Sequence, residues 1–247
     1  MLAAPYPAEP NLDAAGLIGV WEDAITEAPP ARAVMLLARA WPGHDWSRTP
    51  IGIRDRWLLR LRERLFGPAM PAIATCPACA ATLELELMTT DLIADAPEPP
   101  AEGLSLVQDD VTVRYRLPDT LDLLTAAAAP VDIRAAVLLD RCVIKVTRAG
   151  APIPLPPTLR GAIAAGMAEA DPQADPRLAL ACPGCGHEWT APFDIAAYLW
   201  EDIEDCAHRL LRQVHDIARA YGWTEDTILR LSARRRRMYL EAITGTA

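Results

Sequence analysis

The chain has 247 residues and a mass of 26.8 kDa, with 51% hydrophobic and 23% charged residues, enough apolar side chains for one large domain or two small ones and too many for a disordered tail. A net charge of −9 and a pI near 5.0 argue against a surface that grips a phosphate backbone along its whole extent. Mean hydropathy is only +0.09 and no apolar run approaches the ~18 residues of a spanning helix, while Met1–Pro10 has no basic stretch ahead of an apolar one, so the expectation is a cytoplasmic protein.

Residues 13–24 and 31–41 read as two short helices separated by Pro29-Pro30. Thr49-Pro50 opens a third, a capping residue followed by a proline in the first turn. Ile53, Trp57, Leu61 and Leu65 make its apolar stripe, and Arg54, Arg60 and Arg64 fall largely off it, which predicts a solvated or partner-facing side. Gly67-Pro68 ends this helix. Cys76-Pro77-Ala78-Cys79 follows, and then residues 81–87 alternate as a strand.

A proline-rich linker, Pro97-Glu98-Pro99-Pro100, leads into an insert of about 80 residues. Val111–Leu117 alternates as a strand, Asp119-Thr120 caps a helix carrying Leu121, Leu123 and Leu124, and further helices fall at 131–143 and near 157–170. Cys182-Pro183-Gly184-Cys185 is then followed by extended residues 187–193. A weak internal echo, an extended stretch and an acidic residue before an apolar helix, recurs at 87–93, 117–124 and 193–199.

The longest helix starts at Phe193-Asp194-Ile195 and runs to about Tyr221, with Leu199, Ile203, Cys206, Leu210, Val214, Ile217 and Tyr221 on one face. His208 and His215 stand two turns apart beside that face, too far to share a metal. Gly222 breaks the helix, Thr224 caps the next, and 233–243 forms the last, in which Arg234, Arg235, Arg236 and Arg237 circle one turn and Tyr239, Leu240 and Ile243 anchor it.

The two Cys-Pro-x-Cys pairs carry the chemistry. A two-residue spacer aims two thiolates at one ion, and proline after the first cysteine pre-sets φ for the knuckle turn. Gly186 supplies the left-handed residue that closes the second knuckle; Ala80 holds the equivalent place in the first, at a cost of about 1 kcal/mol. Cys76, Cys79, Cys182 and Cys185 are therefore the expected ligands of one structural zinc, or of iron, in a split zinc ribbon whose halves are separated by 102 residues. The alternatives are a redox pair, which belongs at a helix start, and a lost metal site. Four thiolates leave no open position for catalysis. His187 is expected to face solvent, and Cys142 and Cys206 to be ordinary core cysteines.

The expected fold is α+β and mostly helical. It comprises a helical segment (1–72), the split ribbon (73–92 with 178–195), an inserted α/β lobe (93–177) and a C-terminal helical segment (196–247). The sequence lacks a Ser/His/Asp grouping, a phosphate-cradling glycine loop and a convincing carboxylate pair, so no enzyme is expected.

Residues 49–55 (Thr-Pro-Ile-Gly-Ile-Arg-Asp) with Leu59-Arg60-Leu61-Arg62 and Phe66-Gly67, the split Cys pairs, and the ending Val214-His215, residues 220–226, Leu229, Arg235-Arg236 and Tyr239-Leu240 together form a pattern. It resembles the baseplate proteins of contractile phage tails and related bacterial contractile injection systems, near the T-even-type baseplate hub assembly proteins. The resemblance implies a non-enzymatic assembly factor with baseplate or hub proteins as partners, located in the cytoplasm or in a tail or injection particle. Trp223, Arg234, Arg235, Arg236, Arg237 and Tyr239 are the candidate partner-binding residues. The competing expectation is a zinc-ribbon nucleic-acid-binding or transcription accessory protein using the arginine run.

Overall fold

Residues 9–94 and 103–245 are described in this computed structural model; the linker 97–100 and most of the N-terminal stretch read for a leader lie outside the described residues. Among the described residues the first elements are α1 (Ala14–Ala24), α2 (Pro29–Ala40), α3 (Ile51–Phe66), β1 (Ala69–Thr75) and β2 (Thr82–Met88). Next come β3 (Leu104–Gln108), β4 (Val111–Tyr115), α4 (Thr120–Ala127), α5 (Arg134–Cys142), β5 (Val143–Arg148), β6 (Ala151–Pro152) and α6 (Arg160–Ala170). The chain finishes with β7 (Arg177–Ala181), β8 (Glu188–Pro192), α7 (Ile195–Tyr221), α8 (Glu225–Leu229) and α9 (Ala233–Thr244). The mixed α+β class is as expected.

Helix starts follow local chemistry. The carboxylates of Asp13 and Asp119 accept the Gly16 and Asp122 backbone N–H at 2.8 and 3.0 Å, and Thr224 and Ser232 cap α8 and α9 in the same way. Pro29-Pro30, expected as a separator, instead opens α2, where a missing N–H costs nothing. Gly222 ends α7 with φ 68°, the left-handed conformation that favours glycine.

The chain divides into two compact units, one made of Met1–His44 with Ala197–Ala247 and the other of Asp45–Ala196. In the first, α1, α2, α8, α9 and nearly all of α7 are helical, with Leu36, Leu37, Leu199, Ile203, Ile217 and Ile228 fully buried. The α7 stripe holds from Leu199 to Ile217. At its end Tyr221 is exposed, and Ala207, not Cys206, is the buried residue at that turn. Ile243, expected as an anchor, is also exposed, with Tyr239 and Leu240 half-buried.

In the second unit the insert is a four-stranded antiparallel sheet, β3-β4-β5-β6, with Val111, Val113, Tyr115 and Val146 meeting Leu159 and Ile163 of the α6 region in one core. The sequence 131–143 does not form one helix. A short 3-10 turn (Val131–Ile133) precedes α5, and at Val143 the chain turns into β5, where pairing with β4 captures the β-branched Val143, Val146 and Thr147.

Helix α3 is the bar to which this unit is tied. Its N-terminal Gly52 N–H donates to Asp171 Oδ2 at 2.9 Å. Arg54, expected at a solvated side, is buried: its guanidinium donates to Asp55 Oδ1 at 2.7 Å and to Thr120 Oγ1 at 3.0 Å. Arg62 is buried too, donating to the Gly67 carbonyl at 2.5 Å, whereas Arg60 and Arg64 are exposed. A charged side chain reads as outward in an amphipathic pattern, and only a distant acceptor reveals otherwise. Burial pushes the Asp55 carboxyl up to about 6 despite the neighbouring Arg54.

Candidate metal centre

Each Cys-Pro-x-Cys pair forms the turn of its own hairpin. β1 pairs antiparallel with β2 from Ala69↔Met88 to Thr75↔Thr82, and β7 with β8 from Arg177↔Pro192 to Ala181↔Glu188. The extended residues expected after each knuckle are β2 and β8. The strands before them, β1 and β7, carried too little alternation to be read from sequence; Pro71 sits within β1, where its missing N–H is tolerated because β1 has a partner on one side only.

The two turns close identically. Cys76 N–H donates to the Ala81 carbonyl at 2.9 Å and Ala80 N–H to the Cys76 carbonyl at 2.9 Å; in the second hairpin Cys182 N–H donates to His187 O at 2.9 Å and Gly186 N–H to Cys182 O at 2.8 Å. The residue after each pair is left-handed, Gly186 at φ 73° and Ala80 at φ 59°. Ala80 thus accepts the strain expected of it, about 1 kcal/mol.

The folded chain brings all four sulfurs together. Sγ of Cys76 lies 3.8 Å from that of Cys185, Sγ of Cys79 lies 3.7 Å from that of Cys182, and all four fall within 4.8 Å of one another. A tetrahedron with zinc–sulfur bonds of ~2.3 Å has sulfur–sulfur edges of about 3.8 Å, so the donor set fits a four-thiolate ion in size as well as chemistry. In each hairpin the first cysteine is buried and the second exposed.

The thiols among themselves are unequal. The Cys185 backbone N–H, then that of Gly184, pull the Cys182 thiol down to about 7 against the cost of desolvation. At Cys185 the His187 backbone N–H lowers the value, but hydrogen bonding to the Cys79 thiol, desolvation and the other two sulfurs prevail and push it up to about 12. The sulfurs around Cys185 thus oppose its ionisation, and a divalent cation among them would reverse that.

Little else joins the hairpins. They are separate two-stranded sheets, and the apolar cluster beside the sulfurs is small: Leu83 with Ala81, Leu85 and Trp189. Hairpins of this size are marginal alone. His187 is exposed and stacks on Trp189 with ring centres 6.1 Å apart, outside the sulfur cluster.

The remaining candidates, Cys142 apart, lie in the first unit. Arg234, Arg235 and Arg237 are exposed, but Arg236 is buried, donating to the Leu231 carbonyl at 2.6 Å, to Gln213 Oε1 at 3.2 Å and to the Leu229 carbonyl at 3.4 Å. It satisfies carbonyls at the end of α8. Trp223 and Tyr239 are half-buried and meet edge to face at 5.0 Å, each also against Tyr221. His208 and His215 are exposed, His208 lying edge-on to Trp21 at 5.3 Å. Cys142 is buried, its thiol pushed up to about 12 by desolvation and then by Asp122; Cys206 is half-buried.

Comparison with family models, curated proteins and solved structures finds no match to this chain. No helix among the described residues is long and apolar enough to cross a membrane.

Proposed function

We propose that this protein is a non-enzymatic structural and assembly module, pinned by a zinc ion in a ribbon assembled from two distant hairpins, that acts in building the baseplate of a contractile tail or injection system. The observation that carries the proposal is the convergence of Cys76, Cys79, Cys182 and Cys185 at tetrahedral spacing. With four thiolates the ion is saturated, so its contribution is to folding. Cys76, Cys79, Cys182 and Cys185 would hold it; the exposed arginines of α9 with the Tyr221–Trp223–Tyr239 corner supply the docking surface, aromatic and arginine side chains being those that dominate binding energy at protein interfaces.

The baseplate assignment is supported by the resemblance of residues 49–67 and 214–240 to that family's pattern. Co-expression with the sheath, tube and baseplate proteins of the same gene cluster tests it: a stoichiometric complex with a baseplate component is expected. Failure to co-purify with any of them, together with salt-dependent binding of DNA or RNA that is lost when Arg234, Arg235 and Arg237 are neutralised, would place the protein among nucleic-acid-binding zinc ribbons instead.

A further inference from the structure

The polypeptide leaves the first hairpin and returns to the second through two short 3-10 turns, Thr89–Leu92 and Pro172–Ala174, and these two crossings are bonded to each other. The buried Gln173 carboxamide accepts the Ala94 N–H at 2.7 Å and donates to the Leu92 carbonyl at 3.0 Å. Two residues earlier, Asp171 takes the N–H of Gly52 at the start of α3. The outgoing crossing is held to the same helix, since Thr89 Oγ1 donates to Glu63 at 3.0 Å and Arg56 reaches the Ala94 carbonyl at 3.4 Å. Each hairpin is also closed at its base by a backbone bond, Thr89 N–H to Pro68 O at 2.9 Å and Phe193 N–H to Pro176 O at 3.0 Å.

We infer that Gln173 and Asp171 are positioning residues of the metal centre: a clasp on α3 that brings the two Cys hairpins to one place before an ion is bound. The inference rests on the reading of the four cysteines as a metal site.

Chain statistics set the size of the effect. Between Cys79 and Cys182 lie 102 residues, but with the crossings tied at Ala94 and Gln173 only 14 residues precede the clasp and 8 follow it. Loop closure scales as the three-halves power of length, so shortening the path to about 25 residues favours convergence of the two pairs by up to roughly eightfold. The folded lobe restrains its own ends, which makes this an upper value. Neither residue touches a sulfur, and both lie away from the apolar cluster around Leu83 and Trp189.

The test measures zinc affinity of the full-length chain by competition with a chromophoric chelator, and ligand geometry by cobalt(II) absorption. Gln173→Leu and Asp171→Ala are expected to weaken zinc binding about three- to eightfold while the four-thiolate cobalt spectrum is unchanged. Asp171→Asn, which keeps an oxygen acceptor for Gly52, should bind like wild type. Ile163→Val, in the buried core of the inserted lobe, is the control for general loss of stability; it should lower the melting temperature and leave zinc affinity alone. Equal affinity in wild type and the two clasp variants, or an equal loss in Ile163→Val, overturns the clasp while the metal site stands. A wild-type chain that takes up neither zinc nor cobalt overturns the metal reading and the clasp with it.

Discussion

Gly52 and Asp171, 119 residues apart, meet so closely that a methyl group on the glycine would lie 1.8 Å from the carboxylate Oδ1. No side chain fits there without displacing the group that holds the start of α3. Gly52→Ala is expected to destabilise the second unit by about 1–3 kcal/mol. Urea denaturation followed by far-UV circular dichroism measures it; an unchanged midpoint would refute the close approach.

Cys182→Ser removes one of four sulfurs that are the main tie between two marginal hairpins. Because metal binding energy is folding energy in such a site, the substitution should release the ion and cost about 3 kcal/mol or more, roughly 10 °C in melting temperature for a unit of this size. Metal content by mass spectrometry and calorimetry check both halves of this expectation.

The knuckles also predict a stabilising change. Ala80→Gly relieves the left-handed strain of about 1 kcal/mol at φ 59°, less the entropy glycine adds to the unfolded chain, for a net gain of up to about 0.5 kcal/mol. Gly186→Ala, at φ 73° in the other hairpin, should lose a similar amount, about 0.5 kcal/mol. Opposite shifts in the denaturation midpoint are the result to look for.

Asp122 is fully buried and takes the Arg116 guanidinium at 2.5 and 3.0 Å and Arg141 Nε at 2.8 Å. Desolvation alone would raise its carboxyl, but the Arg116 hydrogen bonds and the Asp119 N–H outweigh it and hold the value at about 2. The folded state thus favours the charged form. Its contribution is complete above the ordinary carboxylate value near 4 and disappears as the pH falls to about 2. Asp122→Asn should therefore be less stable than wild type at pH 7, with the gap narrowing between pH 4 and 2 in pH-dependent denaturation.

Within the arginine run the structure separates one residue from its neighbours. Arg236→Ala strands the Leu229 and Leu231 carbonyls and should cost about 2 kcal/mol, whereas Arg235→Ala should leave thermal stability within about 0.5 kcal/mol of wild type. Thermal melts of the two variants side by side make the comparison.

These contrasts show what a sequence carries. The knuckles, the caps at Asp119 and Thr224 and the break at Gly222 were all legible, because each is fixed by residues within a few positions of one another. The inward turn of Arg54 and Arg236 was not, since part of what receives each guanidinium stands 66 and 23 residues away at Thr120 and Gln213, and the nearer acceptors, Asp55 and the Leu231 carbonyl, form no recognisable motif. Strand β5 was hidden for a related reason: a short apolar run after a helix has no period of its own, and its partner in β4 decides it. The convergence of the sulfurs could be anticipated from the matched pairs, but the residues that guide them, Asp171 and Gln173, carry no motif at all.

The polypeptide departs at Ala94 and comes back at Gln173 with only 2.7 Å between the bonded atoms of the two strands of passage. Everything from β3 through α6 is thus strung on a doorway that a single side chain spans. The segment can be lengthened at its exposed loops without moving the frame, whereas cutting it back to a short bridge would take the Thr120 hydroxyl away from the buried Arg54 guanidinium of α3.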